Sequence, residues 1–215
     1  MTIHLRHNRV ELALHELRGG QGRALLLLHG LGERSPAKLR SELEPWPGPV
    51  YALDFTGHGE SSVPHGGGYT AEILMGDADA ALAHLGQATL VGRGLGAYVA
   101  LLLAGGRAKH VRGAILRDGP GLAGGGSGST SPFFPNIAPH APRTPDPFAL
   151  VELARDIRPA DYALVYTRMA TQHSDLERPL SVCTVERPDW LAAACSEPGV
   201  AQAAFPEALA YHASV

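Results

Sequence analysis

Hydrolysis through a covalent intermediate needs a nucleophile, a base within hydrogen-bond reach of it, an acid to orient that base, and amides to hold the oxyanion. Three stretches of this chain have residue types and spacing that bear on such chemistry. They are His29-Gly30-Leu31-Gly32, Asp54-Phe55-Thr56-Gly57-His58-Gly59-Glu60-Ser61, and Leu90-Val91-Gly92-Arg93-Gly94-Leu95-Gly96-Ala97-Tyr98. In the third, the alternating glycines Gly92, Gly94 and Gly96 follow an apolar run from Ala88 to Val91 and open another from Leu95 to Ala104. The first run reads as a buried strand and the second as a buried helix, so the glycines mark a strand-to-helix turn. Glycine-rich turns let backbone N–H groups point at developing negative charge. Gly94, in the middle of the turn, has no atom that could attack.

This strand, turn and helix resemble the strand–elbow–helix of the α/β-hydrolase superfamily, of the esterase and epoxide-hydrolase-like type, whose signature is G-x-S-x-G. Gly92 and Gly96 match the outer glycines, and Gly94 stands where the family has its nucleophilic serine. His29-Gly30-Leu31-Gly32 resembles the family's oxyanion loop, and Asp54 to Ser61 closely resembles its D-x-x-G-H-G-x-S loop. The resemblance implies that the N–H groups of Leu31 and Leu95 form the oxyanion hole, and that Asp54 and His58 fix loop structure. It places the acid near Asp189, with Asp118 as the rarer position. Pro206-Glu207-Ala208-Leu209-Ala210-Tyr211-His212 resembles the segment that carries the family's histidine. The tightest fit puts Ala210 in the histidine's place and His212 two residues later. The glycine elbow followed by Ala97-Tyr98 is also similar to the N-myc downstream-regulated proteins, non-catalytic members of the superfamily.

The resemblance implies an α/β-hydrolase fold with a mostly parallel sheet, flanking helices and a degenerate triad whose nucleophile position, Gly94, is vacant. Such a pseudoenzyme would bind a small apolar molecule or a protein partner. The alternative is an active hydrolase or lyase of altered mechanism, using His212 with Asp189 or Asp118 to work through water. A serine at position 94 together with a histidine at 210 would then be the natural reconstruction of the missing pair.

Composition narrows the class of protein. The chain has 215 residues, enough for one domain with a sizeable core. Its formal net charge is −3 and its basic residues are scattered, which gives no reason to expect nucleic acid or a membrane surface as partner. No apolar run approaches the length of a membrane helix, and the N-terminus lacks a leader-like apolar stretch. The two cysteines, Cys183 and Cys195, are too few for a disulfide framework or a closed zinc site, so a cytoplasmic protein without metal or cofactor is the default. His65 and His140 sit in loops but have no metal-ligand spacing, and His4, His7, His15, His84, His110 and His173 read as solvated. Arg93 reads as a salt-bridge residue before an anion anchor.

These residues must be positioned by a small set of elements. Strands are expected near 24–28, 50–53, 88–91, 111–116 and 180–185, with an earlier half-exposed strand from Arg9 to Leu17 joined to the first of these by a hairpin at Arg18–Gly22. Ser35-Pro36 reads as a cap and first turn of a helix reaching Leu43. Helices are expected over Tyr69–Leu85, with Ile73, Ala80, Ala81 and Leu85 inward, after the elbow, over Pro147–Arg155 and over Asp161–Gln172. A reduced, flexible lid occupies about 119–165, with Gly121 to Pro147 its least ordered part and Phe133 and Phe134 prone to exposure. Val200–Phe205 reads as a short last strand. With the sequence stopping at Val215, little is left for a closing helix: either the chain is clipped or a partner, such as a second copy in a homodimer, covers that edge.

Overall fold

The computed structural model describes residues 1–125 and 144–215. Among them, one sheet of eight strands runs in the order β1 (Thr2–His7), β2 (Val10–Arg18), β4 (Val50–Leu53), β3 (Ala24–Leu28), β5 (Ala88–Arg93), β6 (Val111–Arg117), β7 (Leu180–Cys183), β8 (Val200–Gln202). β1 pairs with β2 and β2 with β4 in antiparallel fashion, and every later pair is parallel. The central strands are apolar almost throughout, as expected where helices cover both faces of a parallel sheet. β3 reads Ala-Leu-Leu-Leu-Leu, with Leu25 and Leu26 fully buried on opposite faces.

Residues alternate between two cores. Leu26, Leu28, Leu90 and Leu116 pack under α1 (Ala71–Leu85), α2 (Leu95–Gly106), α4 (Ala160–His173) and α5 (Asp189–Cys195). Leu25, Val50, Val91 and Ile115 face the other way, toward α6 (Phe205–Ser214) and the segment around Leu43 and Trp46. The remaining helix, α3 (Pro147–Arg155), starts at Asp146, whose carboxylate accepts from the Phe148 N–H.

The fold departs from several of the sequence-based expectations. The turn at Arg18–Gly22 is not a hairpin between neighbours, because β4 lies between β2 and β3; the true hairpin is β1–β2, in which β2 matches the strand expected from Arg9 to Leu17 and β1 lies outside the expected strands. The expected helix from Ser35 is replaced by irregular chain and one 3-10 turn at Ser41–Leu43. The Ser35 N–H donates instead to the Asp54 carboxylate (2.6 Å), which holds this stretch along the end of β4. On α1, Ile73 is exposed, and the inward face is Leu74, Asp77, Ala78, Ala81 and Leu82. α5 and α6 lie outside the expected helices; α6 spans ten residues and closes the sheet face at the chain's end. Phe133, Phe134 and His140 lie outside the described residues.

The elbow glycines explain how β5 and α2 approach so closely. A Cβ on Gly92 would lie 2.6 Å from the Gly96 carbonyl carbon, and one on Gly96 would lie 2.6 Å from the His29 carbonyl oxygen. Real Cβ atoms do not approach backbone this closely, so both positions exclude any side chain. Gly96→Ala should therefore force β3 and α2 apart and destabilise the protein by about 3 kcal/mol or more, measured by urea unfolding. A loss within 0.5 kcal/mol, on the order of a surface change, would contradict the packing described.

Candidate functional site

The elbow lies where the glycine spacing puts it. Gly94 is the residue between β5 and α2, with φ 59° and ψ −119°. Few side chains tolerate such a backbone, and glycine holds it without steric cost. The two amides assigned to the oxyanion hole also converge. The N–H groups of Leu31 (3.0 Å) and Leu95 (2.9 Å) point at one oxygen, and that oxygen is the backbone carbonyl of Pro120.

The loop after β6 thus occupies the point on which these two amides converge. It also fills the space a nucleophile would need. A Cβ on Gly94 would lie 2.6 Å from the Gly119 carbonyl carbon and would overlap the Pro120 carbonyl oxygen. Gly119 is equally constrained, since a Cβ there would lie 2.9 Å from the Gly94 nitrogen. Two glycines, 94 and 119, face each other across this contact.

The loop is tied down on its far side as well. Buried Arg158 donates through Nη1 to the carbonyls of Gly121 and Leu122, and its guanidinium lies 4.8 Å from the Tyr98 ring centre. The Trp190 indole N–H donates to the same Leu122 carbonyl (2.8 Å). Burial pulls the Arg158 pKa down to about 10, still charged at neutral pH.

Of the other predicted site residues, Asp118 lies beside the elbow, between Arg117 and Gly119, with its carboxylate engaged elsewhere. The Asp118 carboxylate accepts from the N–H groups of Val185 (2.7 Å) and Glu186 (3.2 Å), tying the ends of β6 and β7 together. Asp189 is exposed in the first turn of α5. His212 is fully buried on α6, where its Nε2 is 2.9 Å from the Ser181 hydroxyl and its ring presses on Gly113. Gly113 lies four residues before Arg117, the partner of Arg93 beside the elbow, so His212 sits roughly 13 Å down the sheet from Gly94. Ala210 is exposed inside α6, more than a turn past its start at Phe205, because Pro206 opens a helix rather than a histidine-bearing loop.

The polar residues flanking the site hold loops. The Asp54 carboxylate accepts from Glu60 N–H (2.8 Å) and meets His15 Nε2 (3.0 Å). His29 Nε2 accepts from Phe55 N–H (3.1 Å), and His58 Nε2 from Gly32 N–H (3.3 Å). His7 and His15, read from the sequence as solvated, are instead paired with the carboxylates of Asp77 and Asp54. Asp77, on the inner face of α1, takes the Thr56 N–H (2.8 Å) and hydroxyl (2.9 Å). The sequence carries no signal for that last network beyond a carboxylate at an inward helical position. Arg93 pairs with Glu33 (3.0 Å), as expected of a salt-bridge residue. Among the described residues no group of three or more His, Cys, Asp or Glu is placed to hold a metal, and no helix is long and apolar enough to cross a membrane.

A mostly parallel sheet with its antiparallel start and a sharp strand-to-helix elbow define the α/β-hydrolase fold. Known proteins agree: the model of the alpha/beta hydrolase family matches residues 25–213, and the chain belongs to that family. No curated protein matches the sequence. Among solved structures, the chain is similar to a thioesterase domain from the curacin biosynthetic pathway, with 17% identity, a TM-score of 0.69, and coverage of 100% of this chain and 98% of that one. It is also similar to an N-formylmaleamic acid deformylase from Pseudomonas putida S16, at 14% identity and TM-score 0.57, covering 95% of this chain and 92% of that one. The match to Est816, described as an N-acyl homoserine lactone degrading enzyme, has 24% identity and TM-score 0.47, and covers 56% of this chain. The chain spans about half the length (47%) of Est816.

Two buried histidines should make the fold sensitive to acid. Burial pushes the pKa of His212 down to about 4, with Arg23 adding to the effect, and that of His29 down to about 4, with His58 adding. Both folded values lie below the ordinary value near 6.5, so the neutral rings favour folding. Their contribution is complete above about pH 6.5 and is lost as pH falls from there to about 4. Urea unfolding should show roughly 3 kcal/mol lost over this window for each ring. His212→Gln should be less stable at pH 7.5 but lose less on acidification; an unchanged acid slope would show that His212 is not one of the groups responsible.

Proposed function

We propose that this chain is a non-catalytic member of the α/β-hydrolase family that works by binding, with a small apolar molecule or a protein partner as the ligand. The observation that carries the reading is the Pro120 carbonyl, which takes both oxyanion-hole amides while Gly119 and Pro120 fill the space above Gly94. Acyl transfer at the elbow would need a nucleophile, an imidazole within hydrogen-bond reach and an empty hole. Gly94 supplies no nucleophile, His212 is turned to Ser181 far down the sheet, and the hole is filled. Loss of a nucleophile alone lowers turnover by about a million-fold in a working triad. The likeness of the Gly92–Tyr98 elbow to the non-catalytic N-myc downstream-regulated proteins points the same way.

The unmodified protein should give no burst with p-nitrophenyl acetate or butyrate and no labelling by a fluorophosphonate probe. Gly94→Ser should stay unlabelled too, and should lose stability, because the new side chain meets the Gly119–Pro120 backbone at a strained φ. Adding Ala210→His should restore nothing, since position 210 is on the exposed side of α6. Acyl-enzyme formation by the unmodified chain, seen as a mass shift on the intact protein, would overturn the reading.

A further inference from the structure

A cavity of about 250 Å³ opens on the α6 face of the sheet, beside the elbow but not including Gly94. It exists because the stretch from Glu33 to Arg40 does not form a helix over the strands. Its floor is apolar, made by Leu27, Ala52 and Val91 from three adjacent strands. Its rim holds four arginines, Arg34, Arg40, Arg93 and Arg117, against two carboxylates, Glu33 and Glu42. Glu33 pairs with Arg93 (3.0 Å) and Glu42 with Arg117 (2.7 Å). Arg34 and Arg40 form no ion pair among the described residues, so the mouth of an apolar cavity carries two uncompensated positive charges. The excess is felt locally: Arg117 first, and Arg40 and Arg93 with it, hold the Glu42 carboxyl below its ordinary pKa.

We propose that this cavity binds a small carboxylate with a short apolar tail, the tail on Leu27, Ala52 and Val91 and the carboxylate at Arg34 and Arg40. An apolar interior with a few convergent polar groups is the general form of a small-molecule site, and this volume is at the small end of the range. Guanidinium groups suit a carboxylate because they offer paired parallel N–H donors. A neutral chain would leave both cations unmatched, and a bare anion would leave the floor wet. The inference deepens the proposed binding role by naming a site and a ligand class, and stands even if the elbow proves reactive. The site is nonetheless joined to it, since Arg93 immediately precedes Gly94 and its side chain packs against Gly119.

The test is titration of the full chain with sodium octanoate, octan-1-ol and sodium sulfate, followed by calorimetry and by amide chemical shifts. Octanoate should bind below about 1 mM, and octanol and sulfate each at least fivefold more weakly, set by the two halves of the site. Shifts should appear at Val91, Arg93 and Ala52. Arg34→Gln with Arg40→Gln, both exposed and safe for folding, should weaken octanoate about tenfold and leave octanol unchanged. Equal binding of octanol or sulfate, an unchanged octanoate affinity in the double variant, or no binding at 10 mM, about ten times the highest expected Kd, would each overturn the proposal. Shifts confined to Leu31 and Leu95 would place the ligand at the elbow and overturn it as well.

Discussion

The carbonyl of Pro120, held by the N–H groups of Leu31 and Leu95, is the contact on which the rest of this structure turns. Amides at the ends of β3 and at the start of α2 have no partner within their own elements, as at any helix N-terminus. In a hydrolase such donors wait for a substrate. Here the chain satisfies them itself, with two hydrogen bonds each worth about 1 kcal/mol net and more than that to leave unmade in a buried place. A geometry that stabilises a transition state when empty becomes a structural joint when filled. The joint couples three loops, those after β3, β5 and β6, at the carboxyl ends of the central strands.

Backbone can come that close only where side chains are missing. Gly94 at φ 59°, Gly119 beside it and Gly121 at φ 75° together let the loop after β6 lie on the elbow. Arg158 and Trp190 then grip the carbonyls of Gly121 and Leu122 from below. The bare Gly94 and the Pro120 contact are therefore one packing solution: a side chain at 94 would open the joint, and an open joint would leave the Leu31 and Leu95 amides to water.

The buried polar residues beside the joint also serve the backbone. Asp54, His58, His29 and Asp77 each satisfy backbone donors in tight turns, and several are fully buried. Replacing any of them would strand amides in the interior, whatever happens at the elbow. They describe how the loops are built, not whether the loops react.

Much of the fold was legible in the sequence, because its cause is local. Five apolar runs bounded by glycine and proline can only be central strands of a covered sheet, and glycines at 92, 94 and 96 can only mark a close strand-to-helix turn. The absence of a side chain at Gly94 is likewise a property of one residue. The occupant of the space above it is not: the Pro120 carbonyl comes from a strand end twenty-six residues later, and nothing in Asp118-Gly119-Pro120 states which amides it will meet. His212 shows the same limit. Its distance from the elbow depends on α6 being a helix that runs down the sheet, and a short match to a histidine-bearing loop could not reveal that. The cavity beside Arg34 and Arg40 depends on a helix that does not form, because Asp54 captures the Ser35 amide across nineteen residues. Local spacing set the elements and the vacancy; long-range backbone hydrogen bonds, invisible to spacing, decided what fills it.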